Sequence, residues 1–162
     1  MLLIHWTKHN QLEAILKNGI TPKTRKTSNS DNDIKGIWCY PFTRNKTLNN
    51  NWKRNLKIWR QDITNFNGVI FKLSKADFPI WAGEFAAVGA FSPQCKFDDY
   101  DKFISVHGRH FDPQIIDSDN YDPYDSDSDI LDYQDFEIVI SKPVSPKRIK
   151  KIIKDRPSKN IG

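Results

Sequence analysis

Two side chains at opposite ends of the chain have the chemistry of a reactive site. His5 lies in the apolar stretch LLIHWT, and Glu137 lies in the apolar stretch FEIVIS. An imidazole can bind a polar group of a ligand, and a carboxylate can stabilise positive charge that develops during a reaction. A lone histidine on a strand more often has a structural role. His5 and Glu137 can act in one reactive site only if the fold brings their two segments together.

Three other patterns are weaker candidates. Cys39 lies in the strand-like segment GIWCYPF, where a buried structural thiol is commoner than a nucleophile. His107 and His110 in HGRH have no companion cysteine pair for a metal ion. The acidic run DSDSD (125–129) places Ile130 where a calcium loop requires glycine. We therefore predict no metal site.

Length and composition predict one domain that spans residues 1–162. The chain has 162 residues, of which 38% are hydrophobic, so it can bury a core. Cys39 and Cys95 lie far apart with no CxxC pair, which is typical of reduced thiols. The sequence shows neither a signal peptide nor an apolar run of about 18 residues. We expect a soluble cytoplasmic protein without a membrane partner.

Apolar spacing predicts a mixture of strands and helices without strict alternation, which favours an α+β fold. We predict strands at residues 2–6, 36–42, 67–74 and 136–141, and helices at residues 11–18, 48–61 and from Pro146 onward. Asn10 and Ser145 are the expected N-caps, and Gly19 is the expected stop of the first helix. Residues 21–35 and 92–135 are predicted to be loops, with an acidic loop or insertion at about 111–135. Residues 78–91 are ambiguous, with a strand or loop around 79–82 followed by a helix from Glu84.

The two ends of the chain together resemble the ADP-ribosyltransferase-like superfamily, in particular DNA-targeting ADP-ribosyltransferase toxins and RNA 2′-phosphotransferases. Those proteins open with a histidine-containing strand and a helix of the type NLxxILxxG(I/L), and they end with a glutamate on a late strand followed by (I/V)xPxxI. The matching residues here are His5, Thr7, Leu12, Ile15, Leu16, Gly19 and Ile20, then Glu137, Val144, Pro146 and Ile149.

The resemblance implies a split pair of small, roughly perpendicular sheets, with His5 and Glu137 on neighbouring strands that line one cleft. It implies that His5 contacts the ribose of a nicotinamide nucleotide, and that Glu137 orients a ribose hydroxyl and stabilises positive charge on the sugar carbon. Thr7 and Tyr40 are the further residues expected to bind the cofactor. The family also has a middle motif, usually an aromatic pair or a Ser/Thr-containing strand, that stacks on the nicotinamide. The stretch GIWCYPFTR (36–44) occupies its place, with Thr43 and Arg44 as further possible contacts, but no residue is firmly assigned to it.

Charge is strongly segregated along the chain. Residues 1–110 hold 17 basic and 9 acidic side chains, residues 111–141 hold 0 and 10, and residues 142–162 hold 8 and 1, for an overall charge of +5. The acidic segment either neutralises the basic surface of its own fold or forms a contact surface for a basic partner. Sequence leaves both interpretations open.

These features lead to two functional hypotheses. Ten acidic residues beside a cleft repel phosphates, so we expect no nucleic-acid partner. A nucleic-acid-binding module that uses the two basic regions is therefore ranked below both hypotheses. The first hypothesis is a non-catalytic bacterial immunity protein that needs no cofactor and neutralises a basic, nuclease-type toxin. Its expected contact residues are Asp119, Tyr121, Asp122, Tyr124, Asp125, Asp127 and Asp129. The alternative is an active, NAD-dependent ADP-ribosyltransferase that uses His5 and Glu137.

Overall fold

An antiparallel sheet organises the chain in a computed structural model that describes residues 1–24, 35–42, 66–84, 93–108 and 136–154. Within these ranges there are eight strands and two α-helices. The strands are β1 (Leu2–Lys8), β2 (Lys23–Thr24), β3 (Lys35–Phe42), β4 (Phe66–Lys72), β5 (Ile80–Glu84), β6 (Lys96–Phe97), β7 (Phe136–Ile140) and β8 (Ile149–Lys154). The helices are α1 (Leu12–Asn18) and α2 (Tyr100–His107).

The sheet has the order β6-β5-β7-β3-β1-β4-β8, and the short strand β2 also pairs with β3. Within β3 the pairing is divided. Residues Ile37–Cys39 pair with β7, whereas residues Tyr40–Phe42 pair with β1. Beyond Ile4, β1 continues in register with β4 and not with β3. This division of the sheet confirms the split α+β architecture that the resemblance implied, although the two halves are joined through β3.

The core lies along the central strands because their sequences are almost wholly apolar. All five residues of β7 are buried, which is typical of a strand covered on both faces. The largest fully buried side chains include Phe71 on β4, Phe103 on α2 and Ile138 on β7. One hydrophobic cluster therefore connects both halves of the sheet to α1 and α2.

Helix α1 ends where its sequence predicted, but it begins later. A 3₁₀ turn at His9–Gln11 precedes it, so Gln11 and not Asn10 occupies the N-cap. At its end Gly19 adopts a φ of +85° and donates its backbone N–H to the carbonyl oxygen of Ile15 at 2.7 Å. Such a positive φ favours glycine.

Gly19 also allows two distant segments to meet. Ile20 and Val144 exchange backbone hydrogen bonds of 2.8 and 2.9 Å in an antiparallel bridge. A Cβ atom on Gly19 would collide with the carbonyl oxygen of Val144 and press on the ring of Pro146. The two halves of the sequence motif thus contact each other directly.

The helix predicted from Pro146 is wrong. Pro146 opens only a 3₁₀ turn, Pro146–Arg148, and Ser145 makes no side-chain capping bond. The following residues form β8, which pairs with β4. Three isoleucines of β8 (149, 152 and 153) pack against the core. β-Branched side chains fit a half-buried strand well, so tertiary pairing with β4 prevails over the helical spacing of the sequence.

The loop predicted for residues 92–135 is also wrong where the structure describes it. Residues 93–108 contain a 3₁₀ turn, β6 and α2. Asp99 caps α2 by accepting a hydrogen bond from the backbone N–H of Lys102 at 2.9 Å. Phe103 is fully buried and packs the helix against the hydrophobic core. The helix predicted at 48–61, the acidic segment at 111–135 and the middle of the 21–35 loop lie outside the described residues. The ambiguous segment 78–91 contains β5.

A buried ion pair connects the end of β4 to the start of β8. Asp77 exposes 1% of its surface and accepts two hydrogen bonds of 2.6 Å from the guanidinium of Arg148. Arg148 also donates to the carbonyl oxygen of Lys72 at 2.7 Å, and the backbone N–H of Ser74 donates to Asp77 at 2.8 Å. The hydrogen bonds to Asp77 raise the pKa of Arg148, so this guanidinium stays charged.

Neither helix in the described part of the chain is long and apolar enough to cross a membrane.

Substitution of Gly19 by alanine is expected to destabilise the protein by about 1–3 kcal/mol, because it strains a positive φ and displaces the Val144 carbonyl. Chemical denaturation measures the change. Lys17→Ala, an exposed position in the same helix, is the control and is expected to change stability by less than about 0.5 kcal/mol. Equal stability of the two variants would show that the contact of Gly19 with Val144 is not required.

Candidate functional site

An open cavity of about 560 Å³ lies where β1 separates from β3. Its walls come from β1, α1, β2 and the first half of β3. The lining residues are His5, Trp6, Thr7, Lys8, Gln11, Ala14, Ile15, Asn18, Gly19, Ile20, Thr21, Lys23, Thr24, Gly36, Ile37, Trp38 and Phe66. The split in the sheet therefore provides the space for a ligand, because β1 and β3 no longer pair there.

His5 bridges the two strands at the split. Its Nδ1 atom lies 2.9 Å from the carbonyl oxygen of Trp38 on β3. A carbonyl oxygen can only accept, so this bond requires a proton on Nδ1, which in neutral imidazole leaves Nε2 as an acceptor. The bond fixes the orientation of a partly exposed imidazole at the edge of the cavity.

A short polar chain follows His5 along the same wall. The hydroxyl of Thr7 donates to Oε1 of Gln11 at 3.2 Å, and Nζ of Lys23 donates to the same oxygen at 3.4 Å. Thr7 is 3% exposed, whereas Lys23 is exposed. These hydrogen bonds bring a hydroxyl, an amide and an ammonium group to one side of the cavity.

Glu137 and Tyr40 form a second polar pair inside the sheet. The phenol of Tyr40 donates to Oε1 of Glu137 at 3.0 Å. Glu137 exposes 2% of its surface and Tyr40 exposes 8%. Glu137 pairs with Gly83 of β5, just before β7 begins to pair with β3 at Ile138. The carboxylate thus lies at the split in the sheet, on the β7 side of β3.

The structure separates His5 and Glu137 by one strand, so the prediction that they lie on neighbouring strands is wrong. His5 is on β1 and Glu137 is on β7, with β3 between them. His5 and Thr7 line the cavity, whereas the described cavity lining does not include Tyr40 or Glu137. The predicted residues therefore form two pairs on either side of β3.

Two of the weaker candidates from the sequence, Cys39 and His107, are packed within the described fold. Cys39 is fully buried and directs its thiol toward the carbonyl oxygen of Ile37 at 3.6 Å. Burial, with the charges of Asp77 and Glu137, raises the pKa of the Cys39 thiol, which disfavours a nucleophilic thiolate. The ring of His107 packs against three phenylalanine rings at centroid distances of 5.0–5.5 Å (Phe97, Phe103 and Phe136).

Sequence reasoning missed Gln11, Lys23 and Trp38. Gln11 follows Thr7 by four residues, a spacing that could have indicated a contact across the turn into α1. Nothing in the sequence indicated that the backbone carbonyl of Trp38 binds His5 or that Lys23 belongs to a strand. The proposed contact residues between Asp119 and Asp129, together with Thr43, Arg44 and His110, lie outside the described residues.

Comparison with known proteins identifies the fold. No protein-family model matches the chain, and no curated protein matches it. Among solved structures, the chain is similar to Thermus sp. 2.9 DarT in complex with NAD+, at 13% identity and a TM-score of 0.52, over 93% of this chain and 80% of that one. The same DarT in complex with carba-NAD+ gives a TM-score of 0.51, with 13% identity and the same coverage.

A second protein supports this likeness. Thermosipho africanus DarTG in complex with ADP-ribose is 16% identical, with a TM-score of 0.52, over 96% of this chain and 44% of that one. These neighbours are ADP-ribosyltransferases, so the chain has an ADP-ribosyltransferase-like fold. At such low identity the likeness establishes the fold and not the activity.

The environments of the two cysteines predict unequal reactivity. At pH 8 a disulfide reagent is expected to modify Cys95, which is partly exposed, while Cys39 reacts only after unfolding, because its buried thiol stays protonated. Thiol titration of native and denatured protein measures this difference, with Cys95→Ser as the control that removes the fast reaction. Rapid modification of two thiols in the native protein would contradict the buried environment of Cys39.

Proposed function

We propose that this protein is an NAD+-dependent ADP-ribosyltransferase. The observation that carries the proposal is the buried Tyr40–Glu137 pair at the split in the sheet, with the oriented imidazole of His5 on the other side of β3. The fold neighbours, which were determined with NAD+, carba-NAD+ or ADP-ribose, support a nucleotide ligand.

The cavity has the composition that NAD+ requires. Its volume of about 560 Å³ lies within the range usual for small-molecule sites. Lys8 and Lys23 supply ammonium groups for a pyrophosphate, and Thr7 supplies a hydroxyl for a ribose. Trp38 and Phe66 supply aromatic surface for a planar base. The residues present therefore fit the ADP-ribosyl part of the dinucleotide.

Bound NAD+ supplies a ribose carbon that becomes positively charged as nicotinamide departs with the bonding electron pair. In the proposed reaction the carboxylate of Glu137 stabilises this charge and orients a ribose hydroxyl. The phenol of Tyr40 holds one carboxylate oxygen at 3.0 Å, which leaves the orientation of Glu137 with little freedom. Exclusion of bulk water from a residue that is 2% exposed strengthens its electrostatic effect.

His5 has a binding role in this proposal. Its Nδ1 proton is engaged by the carbonyl oxygen of Trp38, so its Nε2 atom can accept a hydrogen bond from a ribose hydroxyl in the cavity. The acceptor of the ADP-ribosyl group attacks the same ribose carbon and loses a proton. The described residues do not identify this acceptor.

Glu137→Gln tests the catalytic role. The amide is nearly the same size as the carboxylate but lacks its negative charge, so nicotinamide release is expected to fall about 100- to 1,000-fold. NAD+ affinity is expected to change less than turnover does, because the charge that Glu137 stabilises develops only in the transition state. Nicotinamide release measures the reaction, and calorimetry measures binding.

Tyr40→Phe is the matched control for orientation. It keeps the ring and removes the hydrogen bond to Glu137, so it is expected to reduce turnover less than Glu137→Gln does. A thermal melt of each variant verifies the fold. Wild-type protein that binds no NAD+ at millimolar concentration would refute the proposed function.

The charge of the acidic segment favours a second candidate function. Residues 111–141 hold 10 acidic and no basic side chains in a chain of net charge +5. Such a segment suits a cytoplasmic immunity protein that blocks the cationic site of a basic toxin, and the ADP-ribosyltransferase-like fold would then serve only as a scaffold. This candidate predicts a protein partner and no turnover of NAD+.

A variant with five Asp→Asn substitutions, at residues 119, 122, 125, 127 and 129, tests this second candidate. It is expected to keep its melting temperature and to bind a basic nuclease-type partner more weakly, with the larger loss at low salt, where charges are least screened. A pull-down at two salt concentrations, read beside a thermal melt, measures both properties. A lower melting temperature with unchanged binding would instead indicate that the segment neutralises its own fold.

A further inference from the structure

Asn67 on β4 is a buried polar residue that the proposed reaction does not use. It exposes 1% of its surface, and its Oδ1 atom is buried without a hydrogen-bond partner. Native proteins rarely leave a buried carbonyl oxygen without a donor, because the lost hydrogen bonds to water are not replaced. The position therefore requires an explanation.

The neighbour of Asn67 on the next strand is a cavity residue. In the register of β1 and β4, Asn67 lies directly opposite Thr7. Directly opposed residues place their side chains on the same face of the sheet, with Cβ atoms about 4.5–5.5 Å apart. Lys154 lies opposite Asn67 on β8, but it is exposed and makes no described bond to the amide. Thr7 is thus the hydroxyl-bearing residue that lies directly opposite Asn67 on the neighbouring strand.

The Thr7 hydroxyl is engaged by a different acceptor in this structure. It donates at present to Oε1 of Gln11, at 3.2 Å, and this oxygen also receives Nζ of Lys23. A hydroxyl has a single proton, so donation to Gln11 excludes donation to Asn67. Asn67 Oδ1 has no donor within hydrogen-bond reach in the described part of this structure, so the contact with Thr7 requires the side chains to turn toward each other, while the register of β1 and β4 stays unchanged.

We propose that Asn67 is a positioning residue, which receives the Thr7 proton when a ligand occupies the cavity. With its proton directed to Asn67, the oxygen of Thr7 presents its lone pairs to the cavity and accepts a hydrogen bond from a ribose hydroxyl. Oε1 of Gln11 then keeps its bond from Lys23 and can accept a second one from the ligand. This inference rests on the proposed function and extends it, because it assigns the recognition of a ribose hydroxyl to Thr7 and Asn67 together.

Asn67→Leu separates this role from a structural one. Leucine is of similar size and removes the unpaired carbonyl, so the ligand-free protein is expected to keep its melting temperature or to gain about 2–4 °C. Binding of NAD+ and of ADP-ribose is expected to weaken about 3- to 10-fold, because Thr7 loses its acceptor. Calorimetry measures the affinities, and a thermal melt of the same sample measures stability.

Matched variants identify the path through Thr7. Thr7→Val is expected to weaken binding as Asn67→Leu does, and the double variant is expected to bind no more weakly than either single one. Thr7→Ser keeps the hydroxyl, and Asn67→Asp keeps an acceptor at the same position, so both are expected to retain most of the affinity.

The outcomes distinguish this inference from the proposed function. Wild-type protein that binds neither NAD+ nor ADP-ribose would overturn both. Wild-type binding with equal affinity in Asn67→Leu would overturn the role of Asn67 alone and leave the proposed function standing. A loss of several degrees in the melting temperature of ligand-free Asn67→Leu would assign Asn67 to the core and would also overturn its positioning role.

Discussion

The division of backbone pairing within β3 is the constraint on which the rest of the structure depends. Residues 37–39 pair with β7 and residues 40–42 pair with β1, so neither neighbour follows the whole length of β3. An unpaired backbone group must find another partner, and at the split His5 binds the carbonyl oxygen of Trp38. The space that a continuous ladder would fill becomes the cavity. One feature of the sheet thus provides the volume for a ligand and orients a side chain beside it.

The same division explains why the polar site consists of two parts. Glu137 and Tyr40 lie on the β7 side of the split, within the core, and their hydrogen bond joins the phenol to one carboxylate oxygen, which lowers the cost of burying both groups. His5 and Thr7 lie on the β1 side, at the cavity. The ion pair of Asp77 and Arg148 connects the ends of β4 and β8, and so fixes the outer strands that support β1.

Much of the central fold was predictable from sequence, because short apolar runs bounded by polar segments specify buried strands whatever their partners. The runs around His5 and Glu137 and the glycine stop of α1 were recognised in this way. The prediction failed at β8, whose isoleucines match a helical period as well as a strand, and at α2, where one buried phenylalanine and an aspartate cap replace a clear apolar stripe. Pairing between strands is non-local, so sequence could not reveal that β3 separates His5 from Glu137.

The bridge between Ile20 and Val144 has a consequence for how the chain folds. β7 and β8 supply central and edge strands, yet they lie near the end of the sequence. During synthesis the antiparallel pairing of β1 with β4 can form early, but the bridge and the β3–β7 ladder must wait until residues 138–144 have left the ribosome. Contacts so distant in sequence slow folding, since the entropy of loop closure is lost before the contacts form. The nascent chain therefore passes through a stage in which the apolar edge of β3 is exposed, and this stage is where chaperone binding or aggregation would act.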